Sequence, residues 1–278
     1  MIRAARPEDK RGIANIWKTC FGDSEEYIDF FFKGAFDRDT CFLYDDNGEA
    51  AAMLHLLPIT LWTGNEHING DYLFAAATLP QYRKKGIMSE MLTLAGDDTA
   101  ARKGKFIALL PANEHLYDYY SLSGFIKAQS VRRASFFREE LEKEASAAAP
   151  AVMEPDINTM YAERKEYFDP ALLWEREMFS YALDEWTFTG GKMTSWNGGY
   201  CLYRRSGAEV QIKELCCRND RFAFAAAAIL RDIPAEKYGF VLDSLNYSYG
   251  TEVQYGMIKP LGGYKLPDKP VYMNLSFD

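Results

Sequence analysis

Arg83, Lys84, Lys85 and Gly86 stand together between an apolar run at 72–77 and a helical pattern that starts at Ile87. A strand, a short basic loop with one glycine, then a helix is an order that aims backbone N–H groups at an anion. The first turn of a helix has amides without intrahelical partners, and it carries the positive end of the dipole. Gly86 lets a ligand approach the main chain where a side chain would hinder it. The three cations add charge beside those amides. The chemistry this spacing suits is the binding of a phosphate-bearing ligand. The plainer alternative is a solvated basic helix entry.

The segment Arg83-Lys84-Lys85-Gly86-Ile87-Met88 resembles motif A of the GCN5-related N-acetyltransferases, written Arg/Gln-x-x-Gly-x-Gly/Ala. Met88 replaces the last small residue, which is similar to the loops of the enhanced intracellular survival branch of that family. That branch also places a second acetyltransferase-like half after the first. Downstream, Asn113, then Tyr120 seven residues on, then Gly124-Phe125 are similar to the family's Asn-x₆-Tyr-x₃-Gly-Phe signature. The opening residues 1–9 are similar to its first strand and capped helix. Together these matches cover roughly residues 1 to 135.

The resemblance implies acetyl-CoA as cosubstrate and no metal. It implies that backbone groups of Phe74, Ala75, Ala76, Ala77 and Thr78 bind the pantetheine arm and polarise the thioester carbonyl. Arg83, Lys84, Lys85, Gly86, Ile87, Met88 and Ser89 would surround the pyrophosphate, with Lys84 and Lys85 toward the 3′-phosphate. Asn113 would touch the cofactor. Tyr120 would protonate the leaving thiolate, a task suited to a phenol whose ordinary pKa is near 10. The other reading of Tyr120 is a packing residue in an aromatic cluster with Tyr117 and Tyr119.

The base is open. His55 and His67 lie on strands that would line the acceptor side, where each is a relay or a structural residue. Asp71 and Glu114 read as surface or capping groups. In the enhanced intracellular survival branch the terminal carboxylate serves as base, which here would be Asp278. Trp17, Phe21, Tyr27, Phe30 and Phe31 line an acceptor pocket or fill a core.

These groups need a scaffold. Residues 2–5 read as a strand and 7–21 as a helix with Ile13, Ile16, Trp17 and Phe21 at helical spacing. Ser24 caps a second helix over 25–32. Strands at 40–44, 50–62 and 68–79 are joined by turns at 45–48 and at Gly64-Asn65, which makes an antiparallel meander. The helix after Gly86 runs to about 103 and crosses over to a buried strand at 106–110. A parallel partner requires that crossover. In the resembled fold these two parallel strands splay and the pantetheine arm lies between them. A short helix over 114–122 and, after Gly124-Phe125, a final strand pair that includes 131–137 close this half.

Residues 139–155, with Glu-Lys-Glu and an alanine-serine run, read as a linker. Beyond it, 161–178 reads as helix, 192–196, 199–204 and 208–217 as strands, 221–230 as helix and 238–242 as strand. The element order repeats more weakly, but the link Arg218-Asn219-Asp220 has no glycine to admit a pyrophosphate. The reading is therefore an α/β (α+β) chain with a mixed, mostly antiparallel sheet and flanking helices. Residues 1–140 form an acetyltransferase domain. Residues 156–278 form a degenerate second domain without cofactor, or else an unrelated α/β cap.

The 278-residue chain is acidic, with net charge −8. That argues against nucleic acid as the main partner and suits a cationic acceptor. Five cysteines without metal-ligand spacing read as reduced thiols in the cytoplasm. No export signal and no membrane span are expected. The chain reads as an N-acetyltransferase acting on a small-molecule or lysine amine. A non-catalytic acyl-CoA sensor, or a transferase of another acyl or aminoacyl group, is the alternative. The oligomeric state is not legible.

Overall fold

The structure, a computed structural model, describes residues 1–37, 39–64 and 66–277. Its contacts divide the chain into two compact units. The first comprises Met1–Thr60, His67–Lys127 and Met257–Leu266; the second comprises Leu61–Glu66, Ala128–Gly256 and Pro267–Asp278.

The first unit starts with β1 (Ile2–Ala4), a 3₁₀ turn at Pro7–Asp9, α1 (Lys10–Phe21) and α2 (Glu25–Gly34). Gly22 ends α1 in the left-handed region, at φ 77°, and its N–H bonds the Lys18 carbonyl. Ser24 accepts the amide of Tyr27 at 3.2 Å and so caps α2. The meander follows as β2 (Cys41–Asp46), β3 (Glu49–Thr63) and β4 (Glu66–Thr78). Asn47 and Gly48, both at positive φ, make the first hairpin turn. The expected turn at Gly64-Asn65 falls partly outside the described residues, because Asn65 is not among them. Next come α3 (Ile87–Ala101), β5 (Phe106–Leu109) and α4 (Glu114–Ser121).

The strand order in this unit is β1-β2-β3-β4-β5, with residues 257–260 antiparallel to β5. β4 and β5 run parallel, and α3 is their crossover. One face of the sheet buries Leu54, Leu73, Ile107 and Leu109 against Ile87, Met91, Leu92 and Ala95 of α3 and Tyr117 and Tyr120 of α4. At the far end of α3, Asp71 ties the helix to β4. Its carboxylate accepts the Thr99 hydroxyl at 2.6 Å and the Arg102 guanidinium at 2.7 Å. Asp71 is thus a buried, paired carboxylate where the sequence suggested a surface group.

The second unit contains β6 (Ile126–Phe137), α5 (Arg138–Glu144), β7 (Val152–Met153), α6 (Ile157–Tyr167), β8 (Ala171–Leu173) and α7 (Arg176–Phe188). These are followed by β9 (Lys192–Trp196), β10 (Gly199–Ser206), β11 (Glu209–Cys217), α8 (Phe222–Asp232), β12 (Lys237–Asp243) and β13 (Thr251–Pro260), whose last residues belong to the first unit. The order β6-β12-β11-β10-β9-β7 is antiparallel except for β11 with β12, which α8 connects. Its core joins Val210, Ile212, Leu215 and Phe240 to the alanine face of α8.

Three local expectations change. The stretch 139–155 is not a plain linker, since it overlaps α5, whose Leu141 is fully buried, and contains β7. The expected helix over 161–178 is two helices, α6 and α7, with β8 between them; Pro170, which carries no N–H for a helix, stands at the break. Strand β13 had no counterpart in the sequence reading, because Thr251–Pro260 alternates burial only weakly.

Candidate active site

Strands β4 and β5 pair only at Asp71↔Ile107 and Tyr72↔Ala108. Beyond Tyr72 the two strands part, and β4 runs on for six more residues to Thr78. Along that free stretch Ala75 sits at φ 48°, in the left-handed region that alanine rarely adopts. The kink has a packing signature. Leu73 and Ala76 both meet the cluster under α3, although they are three residues apart. Strict alternation would place 73 and 75 on one face, so Ala75 acts as the extra residue of a bulge. Phe74 turns to the opposite face, against Trp17 and Phe31. Phe74, Ala75 and Ala76 are half-buried, Thr78 is half-buried and Ala77 is buried.

From Thr78 the chain passes a 3₁₀ turn at Pro80–Tyr82 into the basic loop. Lys84 and Gly86 both have positive φ, 60° and 80°. Gly86 is the N-cap of α3 and its carbonyl takes the amide of Glu90 at 3.1 Å. The amides of Gly86, Ile87, Met88 and Ser89 therefore stand at a helix start, where no preceding turn can accept them. A Cβ built on Gly86 meets no atom within 4 Å, so the space above the loop is open. Residues 83–86 and Ser89 are exposed, while Ile87 is buried and Met88 packs against the core cluster under α3. This combination of left-handed main chain, open space and helix start makes a concavity of N–H donors suited to phosphate.

The three cations do different things. Arg83 bends back: its Nε–H donates to the Thr78 carbonyl at 2.9 Å, and Nη2 lies 3.9 Å from the Cys20 thiol. Lys85 sits over the Tyr82 ring at 4.9 Å, and Lys84 is exposed.

Tyr120, in the last turn of α4, is buried against Tyr119 and Phe125 with ring centroids at 5.4 Å and 5.6 Å. It shares one hydrophobic cluster with Ile87 of the loop helix and with Leu109 at the end of β5. Burial pushes its phenol up to about 12, with a smaller push from Tyr119. Asn113 is exposed and is the extended N-cap of α4; its carbonyl accepts the Leu116 amide at 3.1 Å.

His55 lies on the other face. It is 1 % exposed, ringed by Trp17, Phe31 and Phe36 at 5.6, 5.1 and 5.9 Å, and burial alone drives its pKa down to about 3. Its Nε2 has no hydrogen-bond partner among the described residues. Such a ring stays neutral and walled off from water. His67 is exposed on β4, and Glu114 is exposed in the first turn of α4. Trp17 and Phe31 belong to the packed aromatic cluster, Tyr27 and Phe30 are half-buried, and Phe21 is exposed. Asp278 lies outside the described residues.

Residues 1–124 match the family model of the acetyltransferase (GNAT) domain. This segment belongs to the GNAT acetyltransferases. Among curated proteins none matches the chain. Solved structures share its fold. A conserved protein of unknown function from Enterococcus faecalis V583 superposes with TM-score 0.76 at 14% identity, covering 94% of this chain and 72% of its own. A GCN5-related N-acetyltransferase from Kribbella flavida gives 0.71 at 16%, covering 93% and 70%. Eis1 from Mycobacterium abscessus gives 0.70 at 15%, covering 94% and 74%. At these identities the likeness concerns the fold.

Two features of the GNAT segment have no mark in the sequence. Ala75 adopts a conformation that favours glycine, and nothing in an Ala-Ala-Ala run distinguishes its first member. The bond from Arg83 to Thr78 links residues of a strand end and a loop, which spacing alone does not connect. No group of three or more His, Cys, Asp or Glu side chains able to hold a metal occurs among the described residues. Among the described residues no helix is long and apolar enough to cross a membrane.

Proposed function

We propose that the first unit transfers acetyl from acetyl-CoA to a primary amine, a small molecule or a lysine side chain, by direct attack. The observation that carries this reading is the parting of β4 from β5 after Tyr72 and Ala108, with the left-handed Ala75 beside the gap and the open Gly86 loop at the head of α3. An extended pantetheine arm has amides spaced to bond the free edge of a strand. Its diphosphate has the charge that the loop amides, Lys84 and Lys85 attract.

In this reading, main-chain N–H groups within Phe74, Ala75, Ala76, Ala77 and Thr78 bond the arm and polarise the thioester carbonyl. Gly86, Ile87, Met88 and Ser89 supply loop amides. Met88 offers no obstacle, since its side chain packs on the core side of α3. Asn113, exposed at the head of α4, reaches the cofactor from the opposite side of the gap. The amine nitrogen attacks the carbonyl carbon, the C–S bond breaks, and Tyr120 gives its proton to the departing sulfur. The nitrogen loses its own proton to water. A phenol raised to about 12 stays protonated at neutral pH, so the acid is in its working form before each turnover. His55, neutral and enclosed, is not the base.

The domain reading is part of the proposal: 1–140 transfers acetyl, and 156–278 is a degenerate acetyltransferase-like domain without cofactor. The five cysteines are free, which suits a reducing compartment such as the cytoplasm. The acidic chain suits a cationic acceptor better than nucleic acid.

The test is a calorimetric titration with acetyl-CoA, with Gly86→Glu alongside. One micromolar site per chain, abolished by the added bulk and negative charge, is the expected result. Full affinity in Gly86→Glu removes the loop from the site. Binding without turnover on a broad amine panel makes the chain an acyl-CoA sensor instead.

A further inference from the structure

The second unit repeats the strand geometry of the first. β11 and β12 are parallel from Glu209↔Lys237 to Ile212↔Phe240, and then they separate. β11 runs on to Cys217, paired with β10 alone. It too carries a bulge just past the parting. The register with β10 passes from Ile212↔Tyr203 to Glu214↔Leu202, so Lys213 is the extra residue of the bulge. Ile212 and Leu215, three apart, face the same core, as Leu73 and Ala76 do on β4.

Residues 271–277 bond both β6 and β11 at this end of the sheet. The Val271 N–H bonds the carbonyl of Ala128 on β6 at 2.8 Å. The Asn274 side-chain Nδ2–H bonds the carbonyl of Lys213, the bulge residue of β11. β12 lies between β6 and β11 in the strand order, so the segment crosses the end of β12. The span agrees: three residue steps of about 3.3 Å cover about 10 Å, and two strand spacings of about 4.8 Å are the same length.

The segment is seated along its whole length. Tyr272 exchanges main-chain bonds with Pro170 and Leu172, at 2.9 and 2.8 Å. Its ring lies 4.1 Å from Phe168, and its hydroxyl is 3.4 Å from Glu214. Glu214 is itself fully buried and held by Arg164 at 3.0 Å and by the Tyr200 hydroxyl at 2.7 Å. Trp174 donates to the Leu275 carbonyl at 2.7 Å, and Phe277 packs against Trp174 and Tyr181. Every residue from Val271 to Phe277 is at most 6% exposed.

We propose that residues 271–277 are the resident occupant of the second unit's groove: the Asn274 carboxamide takes the place on β11 that a pantetheine amide takes on β4. The comparison rests on the reading of the first unit given above. The second unit is thereby closed to acyl-CoA by the chain's own strand as well as by a helix entry that lacks glycine. One acyl-CoA per chain follows.

The experiment follows hydrogen exchange of 271–277 in the full chain and in Gly86→Glu, with and without saturating acetyl-CoA, while binding stoichiometry is measured. The expected result is one equivalent bound to the full chain, none to Gly86→Glu, and slow exchange at Tyr272 and Ser276 that acetyl-CoA leaves within twofold. A second equivalent, or exchange accelerated tenfold or more by acetyl-CoA, overturns the proposal. Retained binding in Gly86→Glu with the segment still protected sinks the reading of the first unit and supports the occupied groove. In Asn274→Leu, exchange across 271–277 should rise at least tenfold with the acetyl-CoA affinity unchanged. Unchanged exchange there overturns the role given to Asn274.

Discussion

Leu73 and Ala76 pack on the same hydrophobic cluster although they stand three positions apart on one strand. The left-handed Ala75 absorbs the odd step, and it does so beside the gap that opens where β5 leaves. Position 75 is therefore sensitive to side-chain branching. Valine at φ 48° meets a backbone conformation that costs on the order of 1–3 kcal/mol, whereas glycine adopts it freely. Ala75→Val should weaken acetyl-CoA binding tenfold or more, and Ala75→Gly should stay within about threefold of the parent. Calorimetry on both variants checks this. Equal affinities would separate the bulge from the cofactor.

Arg83 is aimed at Thr78, away from the open side of the loop. Its expected contribution is to hold the loop against the end of β4. A single hydrogen bond to a charged donor contributes about 1.5 kcal/mol, so Arg83→Met should raise the Kd for acetyl-CoA roughly tenfold. That loss should persist at high salt. Lys84→Ala removes an exposed charge instead, and its smaller loss should fade between 0.05 and about 0.5 M salt as screening shortens the Debye length. Salt-sensitive losses of equal size in both variants would mean that Arg83 acts on the ligand directly.

Much of the first unit was legible because its elements obey simple periodicities. The helix start at Gly86, the cap at Ser24 and the hairpin at Asn47-Gly48 each follow from one residue type with one backbone consequence. What stayed hidden depends on contacts between distant residues. The bulge at Ala75 is set by how β4 meets α3. The burial of Asp71 is set by Arg102, 31 residues away. In the second unit the stretch that holds Arg164 read simply as helix; Arg164 is buried because Glu214 faces it across 50 residues. The segment 271–277 is mostly apolar; among the described residues its one bridge is at Tyr272, and its bonds go to β6, to the stretch 170–174 and to β11.

Tyr120 is buried and its phenol is raised to about 12, which gives a pH signature. If it protonates the thiolate, kcat should show no alkaline loss from this group below about pH 11, since the phenol stays protonated there. Tyr120→Phe should lower kcat about a hundredfold with acetyl-CoA affinity within twofold, because the ring and its packing on Phe125 remain. Steady-state kinetics alongside binding separates the two quantities. Full activity in Tyr120→Phe assigns the proton to another group and leaves Tyr120 as packing.

His55 makes the first unit sensitive to acid. Its folded pKa is lowered by burial to about 3, below an unfolded value near 6.5. Between those values the unfolded chain binds a proton that the folded chain does not. The contribution is complete above pH 6.5 and is lost as pH falls toward 3. At pH 5 the loss from this group is about 2 kcal/mol. His55→Phe keeps a ring among Trp17, Phe31 and Phe36 and removes both the titration and the unpartnered Nε2. The variant should be close to the parent at pH 7.5 and more stable than it by up to about 2 kcal/mol at pH 5. Urea unfolding at the two pH values, followed by Trp17 fluorescence in a chain whose other tryptophans are replaced, gives the difference. Parallel pH dependence in parent and variant would show that His55 is open to protons in the folded protein, and it would restore the residue as a candidate base.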